Sequence, residues 1–255
     1  MHEPDPIDSD DDVAFGSSTR KPMNEGAKTR IQRALKLSQL FERATRATRE
    51  GALSVAELEV VPGGTVIVRQ GAIPDAFLVL GRGRVRIERD AGGGRVVPLG
   101  YRGSGEVLGE ACLGHARAQA ENATAMEETE IVKIPLAALD ELLAADPSLS
   151  SALLGVLLAR QRETEDRIES LLFRNVEGRV VEFILKAADR WGVPSPKGTL
   201  ISAPITHLEI AQSIGSTRET VTLTLGALRR EGLLDVAGRR LIVKNREGLS
   251  ARQAL

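Results

Sequence analysis

The chain has 255 residues, a formal net charge of −1 and a single cysteine, and its length suits two ordinary domains. One thiol excludes an intramolecular disulfide and any four-cysteine cluster supplied by one chain. No run approaches a membrane span and no signal-peptide core opens the sequence, so the cytoplasm is the expected compartment and no membrane partner is expected.

Residues 1–12 carry six acidic side chains and no Lys or Arg, and residues 1–28 as a whole are read as a disordered acidic tail. Ser17, Ser18 and Thr19, ahead of Arg20 and Lys21, are candidate phosphorylation sites there. From Thr29 to Thr48, Ile31, Leu35, Leu40 and Phe41 predict a helix packed on the domain that follows. From about Val55 the apolar period changes to two. Short alternating runs at Thr65–Arg69, Ala76–Leu80, Arg84–Glu88, Arg95–Leu99 and Glu130–Ile134 are separated by glycine-rich turns. That spacing predicts an antiparallel β-roll or barrel, within a domain over 29–146.

Leu136–Ala145 reads as a short helix, Asp146-Pro147 as a stop and restart, and Ser148–Leu172 as a long helix within a segment 147–173. Leu153, Leu157, Thr164, Ile168 and Leu171 lie along a heptad-like seam, whose polar middle, residues 160–167, carries six charges in eight positions. Such a stripe meets its twin in a homodimer.

The segment 174–255 is read as a winged helix-turn-helix. Thr206 with Glu209, and Ser216 with Glu219, have capping-box spacing. Leu208, Ile210, Ala211 and Ile214 supply an apolar face for a first helix that Gly215 ends. Val221, Leu225 and Leu228 bury a second helix. Two short strands then flank a turn at Ala237–Arg240, with arginines at its tip. From Ile201 onward eight Lys or Arg stand against five Asp or Glu, a surplus of three. This balance suits a sequence-specific binder of double-stranded DNA better than a general DNA-coating protein. The whole is an α+β chain.

The run Pro62-Gly63, Gln70-Gly71, Asp75, Gly83, Gly105 and Leu108-Gly109-Glu110 resembles a cyclic-nucleotide-binding β-roll. Joined to a winged helix with Ser-Thr-Arg-Glu-Thr-Val at residues 216–221, it resembles the catabolite-activator/FNR (CRP/FNR) family of bacterial transcription regulators over about residues 35–246. The resemblance implies a central dimerisation helix whose polar middle faces a ligand chamber, and RNA polymerase as a protein partner. It also makes Arg218 and Glu219 the two leading base readers, Arg pairing with guanine and Glu accepting from cytosine. Leu223 stands where the family frequently has an arginine, so the half-site departs from the family's usual one, with a thymine methyl as its natural contact. Thr222 joins this base-reading set, although its hydroxyl also suits a phosphate or a bridging water. Thr206, His207, Ser216, Thr217, Arg239, Arg240 and Lys244 are assigned to the phosphate backbone.

The ligand cradle departs from the family pattern. Gly109 and Glu110 begin the matching cassette, the glutamate standing where the family meets a ribose hydroxyl. An Arg-Ser or Arg-Thr pair is expected next, and the sequence has Gln119-Ala120, followed by Glu121. An arginine–phosphate contact is worth about 1.5–3 kcal/mol per hydrogen bond. Its loss argues against cyclic AMP or cyclic GMP as the ligand, and no cofactor is expected. Arg117 rescues the site only if its loop takes another path. Thr164 stands where the family reaches the nucleotide base, but Glu165 replaces the small hydroxyl partner. Cys112 and His115 match a haem-ligand pair by residue type only, since some family members carry haem, and three histidines leave little for a metal site. No catalytic constellation stands out, so the chain is not read as an enzyme. Two rivals remain: a regulator gated by a cyclic nucleotide or dinucleotide, and a sensor or scaffold whose winged helix binds a protein.

Overall fold

The computed structural model describes residues 24–93, 96–110, 113 and 118–253. Ser17, Ser18 and Thr19 lie outside them. The single helix expected over 29–48 is two. The first, α1 (Glu25–Leu37), is capped by Asn24, whose side chain accepts from the Gly26 N–H, so residues 25–28 are helical rather than part of a tail. The second, α2 (Arg46–Val55), is capped by Thr45. The break between them has a packing cause. Leu40 and Phe41 are fully buried in the connecting segment, and Arg49 holds its exposed carbonyls, with Ala44 O at 2.7 Å. The helical spacing in the sequence therefore reports burial from two different elements.

Among the described residues eight strands follow: β1 (Glu57–Val61), β2 (Val66–Val68), β3 (Ala76–Arg82), β4 (Val85–Asp90), β5 (Val96–Arg102), β6 (Val107–Leu108), β7 (Asn122–Ala125) and β8 (Thr129–Pro135). They form two four-stranded antiparallel sheets, β1-β8-β3-β6 and β2-β7-β4-β5. β3 is covered on both faces, which explains its near-continuous apolar run. Phe77 and Val79 point to a core shared with the flanking helices, while Leu78 and Leu80 point between the sheets. Two glycines quoted above are required by close approach. A Cβ on Gly83, at φ 97°, would lie 2.5 Å from Thr129 Oγ1, and one on Gly105, at φ 85°, would lie 2.4 Å from Leu37 O. Buried Glu130 fastens α1 to the roll by accepting Arg30 at 3.0 Å and Arg33 at 2.8 Å.

The short helix α3 (Leu136–Ala145) turns into α4 (Pro147–Phe173) at Asp146, as the sequence predicts. No single described helix is long and apolar enough to cross a membrane, and the bent α3–α4 pair buries Leu139, Leu149 and Leu153 in the roll core. That placement corrects the seam. Leu153 belongs to the interior of its own chain, whereas Leu157, Ile168 and Leu171 are exposed, joined by Leu154, Leu158, Leu172 and Phe173.

The C-terminal unit comprises α5 (Val176–Trp191), β9 (Gly192–Ser195), β10 (Gly198–Ile201), α6 (His207–Ile214), α7 (Arg218–Arg230), β11 (Leu234–Ala237), β12 (Arg240–Val243) and α8 (Arg246–Arg252). Its sheet runs β11-β12-β10-β9, all antiparallel. Val180, Ile184, Ile210, Val221, Leu225 and Leu228 lie in one core. Leu208, expected on that face, is half exposed at 50%. Its neighbours at Ile210, Ala211 and Ile214 already fill the buried stripe.

Candidate nucleic-acid interface and ligand pocket

The first helix of the motif, α6, starts with the predicted capping box. Thr206 Oγ1 accepts from the Glu209 N–H at 3.1 Å, and Glu209 Oε2 accepts from the Thr206 N–H at 2.7 Å. Gly215 ends it in the left-handed region at φ 65°, ψ 49°. The second predicted box does not form. Thr217, one residue later than expected, is the cap of α7 and accepts from the Thr220 N–H at 3.2 Å. Ser216 instead donates its N–H to Ala211 O at 2.9 Å and closes the end of α6. A Schellman end requires this residue for the outgoing helix, which leaves the next hydroxyl to open the incoming one.

This shift leaves Arg218, Glu219, Thr222 and Leu223 exposed on α7, Leu223 at 73%. Arg239, Arg240 and Lys244 are exposed on and beside the wing, whose turn is made by Gly238 at φ 63°. None of these cations, nor Arg218 or Glu219, forms a salt bridge to another described residue. Thr206 and Thr217 are exposed, and His207 and Ser216 are half-buried. Thr222 is more constrained than the sequence suggests. Its hydroxyl donates to Arg218 O at 2.8 Å and also lies 2.8 Å from His207 Nδ1. One hydroxyl has one proton, so the ring donates at Nδ1. This chain ties the start of α6 to the first turn of α7 and leaves Thr222 its methyl group for further contact.

In the roll, Gly109 adopts φ 87°, and a Cβ there would approach Ala76 O to 3.2 Å. Glu110 is paired to Arg160, which reaches in from α4 and also donates to Val107 O. Burial, with the Arg102 guanidinium nearby, pushes the Arg160 pKa down to about 10. Arg102 itself faces Glu163 at 3.4 Å and Glu106 at 3.7 Å. Gln119 is buried and held by its main chain to Gly71 and Ala72, both at 2.8 Å. Its Nε2 has no hydrogen-bond partner among the described residues. Ala120 O accepts from Arg89 Nε at 3.1 Å, and Glu121 lies 3.5 Å from the same guanidinium. Thr164 is exposed and bonds Arg160 O at 3.0 Å, away from the cavity. Between Gly109, Glu110, Gln119 and Arg160 remains a cavity of about 20 Å³, the space of about one water. Arg117, Cys112 and His115 lie outside the described residues. Arg160 escapes sequence reading because only the packing of α4 on the roll brings it to Glu110.

Comparison with known proteins places both halves. Residues 58–146 match a family model described as a cyclic nucleotide-binding domain, and residues 178–252 match a Crp-like helix-turn-helix domain. A CRP-like cAMP-activated global transcriptional regulator of Mycobacterium tuberculosis (strain ATCC 25618 / H37Rv) is 30% identical over 191 residues, covering 75% of this chain and 85% of the relative. The chain belongs to the CRP/FNR family of transcription regulators. A global nitrogen regulator of Synechococcus elongatus is also 30% identical, over 76% of this chain and 88% of its own. The solved structure of FixK2 from Bradyrhizobium japonicum has the same fold, with a TM-score of 0.69 at 23% identity, covering 79% of this chain and 98% of that one. The relatives are transcription regulators, so the family agrees with a chain that is not an enzyme.

Proposed function

We propose that the protein is a homodimeric, sequence-specific DNA-binding transcription regulator that reads a pseudo-palindromic operator without a cyclic mononucleotide. The observation that carries the ligand-independent part is the filled cradle. Gln119 and Ala120 replace the anion-binding pair, Glu121 adds a negative charge, and Arg160 is already spent on Glu110. A cyclic phosphate would meet an amide where a guanidinium is wanted. Dimerisation is supported by the exposed apolar residues along α4, since a helix-turn-helix reads two half-sites about 34–36 Å apart. Arg218, Glu219, Thr222 and Leu223 would face the bases; Thr206, His207, Ser216, Thr217, Arg239, Arg240 and Lys244 would face the backbone. RNA polymerase is the protein partner this role requires, and the cytoplasm its compartment.

The second reading rests on the matched cyclic nucleotide-binding domain and on a relative named as cAMP-activated. Operator binding separates the two. Duplexes selected from random sequence are titrated with the purified protein at physiological salt, with and without cyclic AMP or cyclic GMP. Tight binding unchanged by nucleotide is expected. Binding that appears only with nucleotide supports the gated regulator, and absence of selected duplexes supports a winged helix that binds protein.

A further inference from the structure

The winged helix is docked on the roll of its own chain, and one side chain joins both to α4. Arg167 donates from Nη1 to Leu99 O at 2.9 Å, and from Nη2 to Pro98 O at 2.9 Å and Ser213 O at 2.8 Å. The first two acceptors belong to β5, the third to α6. Two of the three carbonyls, those of Leu99 and Ser213, are available for a structural reason. In the β4–β5 ladder Ile87 faces Gly100 and Glu88 faces Pro98, so Leu99 is a bulge residue with nothing opposite. Ser213 lies in the last turn of α6, where carbonyls lack intrahelical partners and a cation is favoured. Further ties surround this point. Arg86 lies 3.6 Å from Glu209, Arg190 pairs with Glu106, and Tyr101 meets Trp191 edge-on at 5.2 Å. Only two residues, Ile214 and Gly215, separate Ser213 from the segment that opens α7. Fixing the end of α6 therefore fixes the start of the recognition helix.

We infer that Arg167 is a positioning residue that sets the angle of the winged helix on the dimer helix, and so the spacing at which two half-sites are read. This rests on the dimeric reading above. One base pair of spacer moves a half-site by about 3.4 Å along the DNA axis, a displacement that a winged helix pinned to both β5 and α4 cannot follow. Without Arg167 the winged helix keeps the side-chain ties at Glu209, Glu106, Trp191 and Glu182, and this looser hold lets it follow the shift.

The test uses full-length protein and duplexes carrying the selected half-sites with the best spacer, one base pair more, or one fewer, beside a duplex with one half-site. Wild type is expected to prefer its best spacer at least about fivefold, the lower end of what one mismatched base pair costs. Arg167→Ala should reduce that preference to less than about twofold while binding the single half-site like wild type, because the base-reading face is untouched. Arg167→Met keeps the aliphatic stem and removes every donor, and serves the same purpose if the alanine variant does not fold. A folded variant that keeps wild-type spacer preference overturns the inference, as does one that loses single-half-site affinity as much as operator affinity. A wild type that binds one half-site as tightly as two overturns the dimeric reading itself, and the inference with it.

Discussion

Arg218, Glu219, Thr222 and Leu223 share one exposed stretch of α7, yet their chemistry differs. Arg218 has no ion pair among the described residues, and its own carbonyl is held by Thr222, so its backbone is fixed while its guanidinium is available. That combination is why we propose Arg218 as the leading base reader. Arg218→Ala should weaken operator binding by about 1–3 kcal/mol and flatten preference at one base position. Selection with the variant checks this, and an unchanged sequence preference would rule the role out. Leu223 carries no donor or acceptor, so it can contribute only apolar contact. His207, assigned to phosphate from sequence, commits Nδ1 to Thr222 and keeps only Nε2 for another partner.

At the scale of the element, caps decide where each helix begins, and Asp146 caps the longest. Its carboxylate accepts the side chain of Ser148 at 2.6 Å, the Thr45 N–H at 2.8 Å, the Thr48 hydroxyl at 2.7 Å and the Ser148 N–H at 3.0 Å. One residue thus ties α2, α3 and α4. These bonds, the Ser148 hydroxyl foremost, hold its pKa well below the ordinary carboxylate range. A carboxylate depressed on folding contributes stability that is complete above its unfolded pKa of about 3.9 and is lost as pH falls further. Asp146→Ala should therefore lower the melting temperature most at neutral pH, and the gap from wild type should close below about pH 4. A gap independent of pH would mean that the charge contributes nothing. The far end of α4 is tied across its junction with α5, where buried Glu182 accepts Ser170 and lies 2.7 Å from Lys186 and 3.7 Å from Arg174.

For the molecule as a whole, α4 has two sides, one built into the roll and one open. Ile168, 53% exposed, sits with Leu171 and Leu172 on the open stretch. Ile168→Glu should shift the protein from dimer to monomer in sedimentation and abolish the advantage of two half-sites over one. A variant that remains dimeric would place the interface elsewhere. The sequence disclosed most where periodicity and caps act locally: the α3–α4 restart at Asp146, the Thr206–Glu209 box, Gly215 and the wing turn. It misled where burial came from a distant element. Leu40 and Phe41 extended a helix that breaks, and Leu153, read on the seam, faces inward while Leu157, Ile168 and Leu171 are exposed. The pocket was legible in what it lacks, at Gln119 and Ala120, but not in what fills it, because nothing local links Arg160 to Glu110.

The clamp at Arg167 has one further consequence. All three oxygens it binds belong to the main chain. Substitutions at Leu99 or Ser213 leave those oxygens in place, so these two positions are free to vary in sequence without removing an acceptor of the clamp. This part of the coupling is encoded at a single codon, unlike the side-chain ties Arg86–Glu209, Arg190–Glu106 and Tyr101–Trp191, each of which needs two.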